Sequence, residues 1–290
     1  MSRLAGWAKG KVLITDGAWG TRLQQLGLDP GDLPDSWNLA HPERVEQVAR
    51  EYAEAGSEIL LTNTFRANRI TLASKGLAGA AAGINAAGVA ISRRAAAGRA
   101  RVAASIGPTG KMLMAQETTP EEVFAAFLEQ ARALAGAGAD ALLIETMSDL
   151  EEARIALEAA RSTGLPVIVS FAFDTGKNRD RTMMGVTPEQ AAAAMEAAGA
   201  DAVGANCGAG MERFPALCAR MRLACSLPIW IKANAGLPEW RDGRAVYSAT
   251  PEQFAAHLPA LVEAGAAFAG GCCGTTPDFV RALIAAREAL

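Results

Sequence analysis

The sequence predicts an α/β chain folded as a (β/α)8 TIM barrel, and three observations carry that expectation. Eight short apolar runs rich in Val, Ile and Leu are spread along the 290 residues, with Ala-rich stretches of helical composition between them. Four of those stretches open on a Thr-Pro-acid signature, at Thr119-Pro120-Glu121, Thr187-Pro188-Glu189, Thr250-Pro251-Glu252 and Thr276-Pro277-Asp278. Each places Thr at an N-cap, Pro at the first helical position and acid in the first turn. Several runs are preceded by Ala-Gly-Ala-Asp or a close variant (Gly138 to Asp140, Gly199 to Asp201, Gly265 to Ala267), where Gly ends a helix and the chain turns into a strand.

In order, the runs lie around Val12 to Thr15, Glu58 to Thr62, Arg101 to Ile106, Ala141 to Glu145, Val167 to Phe171, Asp201 to Ala205, Ile229 to Ala233 and Ala267 to Gly270. Near-continuous apolarity over so short a span marks strands buried on both faces of a parallel sheet. Each parallel strand needs a crossover, and the helical stretches fill the gaps. The stretch between Thr64 and Arg101 is long enough for more than one helix. No linker or low-complexity segment interrupts the pattern, so residues 1–290 are expected to form one domain. An open doubly wound sheet is the alternative, but it would usually have fewer strands.

Half of the residues are hydrophobic, which suffices for a large core, and only 6% are aromatic, which suits tight packing of helices on a sheet. A net charge of -3 gives no basic footprint for nucleic acid. The first residues show no charged-then-apolar leader, and no apolar run approaches the roughly 20 residues that span a bilayer. A cytoplasmic location is therefore expected. Five cysteines are an odd number in a large chain, which points away from a disulfide scaffold and toward metal or catalytic use.

In a barrel of this kind the active site lies at the carboxyl ends of the strands. The residues expected there are Asp16 to Thr21, Thr62 to Phe65, Gly107 to Gly110, Glu145-Thr146, Phe173-Asp174, Asn206 to Gly208, Asn234 to Gly236 and Gly271 to Gly274. Cys207, Cys272 and Cys273 thus fall at one end, on strands separated by a single neighbour, and can converge on one point. Adjacent cysteines rarely close on each other but can both ligate one ion, and the flanking Gly271 and Gly274 let the backbone aim both sulfurs. Three thiolates suit a zinc ion that keeps one position open. Small buried apolar residues are the competing reading of the same cysteines. Cys218 and Cys225, seven apart, read as core. His41 belongs to a helix start and His257 to a helix interior, away from the strand ends. The charged loop Asp174 to Arg181 reads as a solvated face, with docking of a corrinoid protein as a further use.

Four motifs resemble those of the homocysteine S-methyltransferase family: Asp16-Gly17-Ala18-Trp19-Gly20-Thr21, Thr62-Asn63-Thr64-Phe65, Gly204-Ala205-Asn206-Cys207-Gly208 and Gly270-Gly271-Cys272-Cys273-Gly274-Thr275-Thr276-Pro277. The resemblance runs from Asp16 to the last helix. Within the family, the Gly-Thr-Thr-Pro ending and Gly107-Pro108-Thr109-Gly110 look most like the homocysteine-binding domain of cobalamin-dependent methionine synthases. The resemblance implies zinc held by Cys207, Cys272 and Cys273. It also implies that Asp16, the loop after it and Glu145 hold the amino-acid part of homocysteine. Cobalamin-dependent synthases continue into further domains, whereas this chain stops after the eighth helix. A corrinoid (cobalamin) would then come on a separate protein, or the donor is smaller, or the chain is a fragment.

The chemistry fits these residue types. An unperturbed thiol has a pKa of about 8.5 and is a poor nucleophile at neutral pH, and coordination to zinc deprotonates it. Asp16 and Glu145 suit an ammonium group, although Asp16 can also cap its own Gly-rich turn and Glu145 can pair with a buried donor. Backbone N–H groups from Gly17, Ala18 and the loop to Thr21 suit a carboxylate. Asn63, Asn206 and Asn234 can orient substrate, fill the open metal position or bond within loops. Rival readings are a betaine or sulfonium donor, methyl transfer onto a corrinoid protein, Lys232 as a Schiff-base nucleophile in an aldolase-like barrel, and a purely structural zinc.

Overall fold

A computed structural model describes residues 3–8, 10–29, 31–241 and 244–290. Its strands are β1 (Leu13–Ile14), β2 (Ile59–Leu61), β3 (Arg101–Ile106), β4 (Ala141–Met147), β5 (Val167–Phe171), β6 (Ala202–Gly210), β7 (Ile229–Asn234), β8 (Glu239–Arg241), β9 (Arg244–Val246) and β10 (Ala266–Gly271). Eight of them form one sheet in the order β1-β10-β7-β6-β5-β4-β3-β2, with every pairing parallel. A lone parallel bridge between Thr15 and Ile59 closes the ring between β1 and β2. The Asp16 N–H donates to Ile59 O at 3.1 Å and the Glu58 N–H to Ile14 O at 2.8 Å across that seam. All eight expected runs are strands of this (β/α)8 barrel.

Burial follows from the apolar runs. Inside the ring, Leu13, Ile59, Leu143, Ile168, Trp230 and Phe268 pack against one another, and Leu4 from the N-terminal segment joins them. Outside it, a larger cluster joins the outward strand residues to the helices, with Val45, Tyr52, Phe127, Ile155, Met195 and Leu283 among them. Cys218 and Cys225 are buried in this outer layer, as core residues. No helix among the described residues is long and apolar enough to cross a membrane.

The helix starts form as expected at three of the four Thr-Pro sites. Thr119, Thr187 and Thr250 close reciprocal capping boxes with Glu122, Gln190 and Gln253. Thr276 occupies the N-cap of Pro277–Glu288, but its side chain makes no cap bond, because the Phe279 N–H bonds the Thr276 carbonyl at 3.0 Å instead. Gly138, Gly199 and Gly265 take positive φ of 91°, 83° and 94° just past a helix, the left-handed turn expected of them. Between Thr64 and Arg101 lie the helices Arg69–Ala73 and Ala81–Ala96, joined by a short 3-10 turn.

Two features depart from expectation. His257 is not inside a helix: it caps the start of Leu258–Glu263, just after the short helix Pro251–Ala255 ends. The chain breaks there because Pro259 lies in the first turn of the second helix, where it needs no N–H partner but cannot continue the helix before it. The antiparallel hairpin of β8 and β9, inserted after β7, has strands of three residues, too short for any periodic signal.

Candidate active site

The barrel's carboxyl-terminal end departs from regular ladder geometry on two strands. Register shifts interrupt β4 between Ile144 and Met147, and β6 between Asn206 and Gly210. Thr146 and Cys207, on these stretches, adopt left-handed backbone conformations with φ of 63° and 62°. Such conformations are costly for side chains other than Gly and persist where surrounding bonds over-determine them. For Thr146, Asn206 supplies those bonds. Its Oδ1 accepts from the Thr146 N–H at 3.0 Å and the Ser170 hydroxyl at 2.6 Å, while its Nδ2 donates to Thr146 Oγ1 at 2.7 Å.

Cys272 and Cys273 follow the end of β10. The Cys272 N–H donates to Ala233 O at 2.6 Å, the Cys273 N–H to Asn234 Oδ1 at 3.1 Å and the Gly274 N–H to Thr21 Oγ1 at 3.3 Å. The Thr275 hydroxyl donates to Cys272 O at 2.7 Å and accepts from the Ala18 N–H at 3.1 Å. Gly274 sits at φ 81°, and a Cβ there would collide with the ring of Tyr247. Together these contacts bring Cys207 Sγ within 3.3 Å of Cys272 Sγ and 3.7 Å of Cys273 Sγ. The Cys207 thiol hydrogen bonds to Cys273, and with Cys272 and the Tyr247 phenol it holds the Cys273 thiol well below its ordinary pKa.

This donor set fits a thiophilic metal ion. All three sulfurs lie within 4.8 Å of one another. Tetrahedral zinc, at ~2.3 Å from each sulfur, needs separations of about 3.8 Å. All three cysteines also line one cavity of about 340 Å³, at the small end of ligand sites.

The remaining expected residues divide by their neighbours. Gly17, Ala18, Thr21, Asn63 and Glu145 line the cavity with the cysteines. Asp16 is fully buried, and both of its oxygens are engaged. Oδ1 pairs with the Lys232 ammonium, and Oδ2 accepts from Trp19 Nε1 at 2.8 Å and the Leu61 N–H at 2.7 Å. Glu145 accepts from the Ser105 hydroxyl, and burial pushes its pKa up to about 7. Asn63 donates to Pro34 O at 2.7 Å and to Asn38 Oδ1 at 3.0 Å. Asn234 carries the Cys273 amide. Among the described residues the three strand-end asparagines are thus all bonded within the protein. In the charged loop after β5, Asp180 pairs with Arg220 at 2.7 Å.

Several cavity residues were not singled out from sequence. Asp35 is buried at the wall, accepts from the Arg66 N–H at 2.9 Å and is pushed up to about 6 by burial. The exposed Arg66 lines the same wall, beside the family-like Thr62 to Phe65 motif. Ser105 was signalled only by its place near the end of an apolar run. Tyr247, which is not part of the cavity lining, had no signal either, since it comes to Cys273 from beyond the hairpin.

A model of the family described as homocysteine S-methyltransferase matches residues 13–287. The methionine synthases of Mycobacterium leprae (strain TN) and Mycobacterium tuberculosis (strain ATCC 25618 / H37Rv) are each 31% identical to this chain, across 95% of it and 24% of their own length. The chain thus spans about a quarter of the length of these curated relatives. Among solved structures, the metallated form of the homocysteine methyltransferase MmuM from Escherichia coli is 26% identical with a TM-score of 0.80, over 97% of this chain and 98% of that one. Its apo form, 24% identical with a TM-score of 0.76 over 98% and 99% of the two chains, shares the fold.

Proposed function

Because the chain belongs to the homocysteine S-methyltransferase family, we propose that it methylates the thiol of homocysteine to give methionine, with zinc held by Cys207, Cys272 and Cys273. The observation that carries this reading is the convergence of three sulfurs on the wall of a cavity that also holds a buried acid, Glu145, bonded to the Ser105 hydroxyl. When bound there, zinc would deprotonate the incoming thiol and keep it electron-rich beside three thiolates.

The chain's own residues take the other tasks. Glu145 faces the substrate ammonium, whose positive charge would favour its ionised form. Gly17, Ala18, Thr21 and Asn63 shape the wall against which the rest of the amino acid lies. Asn234 positions the sulfur of Cys273 through the backbone amide, and Asp16 ties the floor to β2 and β7. One domain, residues 1–290, carries all of this, in the cytoplasm.

The methyl donor is read as a methylcorrinoid on a separate protein or domain, which the likeness to methionine synthases supports. A second reading, a small betaine or sulfonium donor, is favoured by the modest cavity and by the Asp35 carboxyl and Arg66 guanidinium at its wall. The family resemblance also leaves room for passing a methyl group to a corrinoid protein.

The test compares wild type with Cys272→Ala. Zinc content is measured together with homocysteine methylation, using methylcobalamin, betaine and S-methylmethionine as donors. The wild type is expected to hold about one zinc and to methylate homocysteine with one of the donors, and the variant to lose both properties. Zinc without methylation by any donor would break the acceptor assignment, and clean, reduced protein without zinc would break the whole reading.

A further inference from the structure

Tyr247 lies beside the sulfur cluster and has no part in the proposed reaction. It follows β9 directly, and the hairpin of β8 and β9 brings the chain back to the end of β10. Two residues further on, the Ala249 N–H donates to Ala235 O at 3.1 Å, and the Ala235 N–H donates in turn to Cys273 O at 3.0 Å. The segment is thereby laced to the backbone of Cys273. The ring of Tyr247 lies against Gly274, where a Cβ would stand 2.2 Å from Tyr247 Cγ. From that seat the phenol donates to the sulfur of Cys273.

The direction of approach separates this ring from the substrate. Cys273 lines the cavity and Tyr247 does not, so the phenol reaches the sulfur from the outer side. The ring is half-buried and packs on the outer core, which keeps it in place without a ligand. A thiolate bound to one metal ion retains further lone pairs, and one of them can accept a hydrogen bond. A charge-assisted bond of that kind favours the ionised sulfur and fixes its direction. Groups that bond the ligands of a metal orient those ligands and tune the ion.

We infer that Tyr247 is a positioning residue for the metal centre: its hydroxyl holds the Cys273 thiolate from outside the cavity and takes up part of that sulfur's charge. This inference rests on the proposed zinc site. It gives the hairpin after β7 a purpose, since the insertion delivers the ring. It also explains Gly274, since no side chain fits beneath the ring. The three thiolates are then unequal. Cys273 gives the metal less electron density than it would unaided, and the ion keeps more pull on the incoming thiol.

The experiment reads the metal centre directly and needs neither a methyl donor nor homocysteine. Wild type is compared with Tyr247→Phe, which keeps the ring over Gly274 and removes only the hydroxyl. Both are stripped of metal under reducing conditions. Zinc affinity is measured by competition with a chromophoric chelator, and the sulfur-to-metal charge-transfer band is recorded with cobalt(II) in place of zinc. Tyr247→Phe is expected to bind zinc about tenfold to hundredfold more weakly, the range for loss of one such partner. Its cobalt band should move to longer wavelength, because a sulfur that has lost a hydrogen bond gives up electrons more readily. The band decides: a shift to longer wavelength upholds the inference even at equal zinc affinity. An unmoved band overturns it whatever the affinity, because Tyr247 would then act only through packing, and a shift to shorter wavelength overturns it too. Wild type that binds neither metal would remove the proposed zinc site itself, and this role with it.

Discussion

Two layers of the barrel interior come from the same strands, two residues apart. The lower layer holds the hydrophobic side chains of Ala103, Leu143, Ile168, Ala202, Trp230 and Phe268. One inward position further along β3, β4, β5 and β7 stand Ser105, Glu145, Ser170 and Lys232, and two along from Gly204 on β6 stands Asn206. The period of two that seats the lower layer therefore also aims the upper one. Exclusion of water costs the lower layer only at Trp230 Nε1, which is buried without a hydrogen-bond partner among the described residues. The upper layer survives there only through its bonds: Asp16 with Lys232, Trp19 and the Leu61 amide, Asn206 with Ser170 and Thr146, and Glu145 with Ser105. Stability is thus concentrated below and chemical capacity above.

Breaking the lower layer should leave the upper one intact. Trp230 is fully buried and packs on Phe268 with ring centroids 5.2 Å apart. Trp230→Ala is expected to cost about 3–5 kcal/mol of unfolding free energy. Zinc content and homocysteine affinity of the folded protein should stay at wild-type values. Denaturant unfolding and thiol titration check both halves, and a parallel loss of affinity would show that the layers are not separable.

A smaller effect comes from the mouth. Burial raises the Asp35 pKa to about 6, above the value near 3.8 of the unfolded chain. Between those values the folded protein binds more protons, so this group's contribution to stability falls as pH rises through the window. At 1.36 kcal/mol per pKa unit, the full excursion is about 3 kcal/mol. Relative to Asp35→Asn, wild type should lose up to that amount between about pH 4 and 6, measured by unfolding at fixed pH values. An offset between the two proteins that does not change with pH would mean that Asp35 is ionised throughout.

The smallest effect lies outside both layers. Thr119→Ala removes the cap of Pro120–Gly136 and should cost about 1 kcal/mol in thermal unfolding, with thiol binding unchanged. A change in binding would mean that the outer helices are coupled to the floor.

The sequence made the strands legible because both faces of each are buried, and a run such as Val167 to Phe171 has no solvent side to disguise it. It made the cysteine cluster legible because the ends of parallel strands meet at one rim. The pairing of Lys232 with Asp16 was not legible: the two are 216 residues apart, and only the closed ring brings their side chains together. Asp35 and Arg66 escaped for a related reason, since one lies in the single 3-10 turn Pro34–Ser36 and the other in the turn after β2, segments too short for periodicity to describe. The left-handed backbone of Cys207 was hidden as well, because a non-Gly residue carries no mark of the conformation that its neighbours impose.

The thin join between β1 and β2 has a mechanical meaning. β1 contributes two ladder residues, and Asp16 spans the gap twice, with its amide on Ile59 and its carboxylate on the Leu61 amide. A hoop fastened by so short a joint carries its tension through few rivets, Asp16 and the Glu58 bonds to Ile14 among them. The Asp16 rivet is also the anchor of the Lys232 ammonium, so the roundness of the barrel and the stiffness of its floor share a fastening.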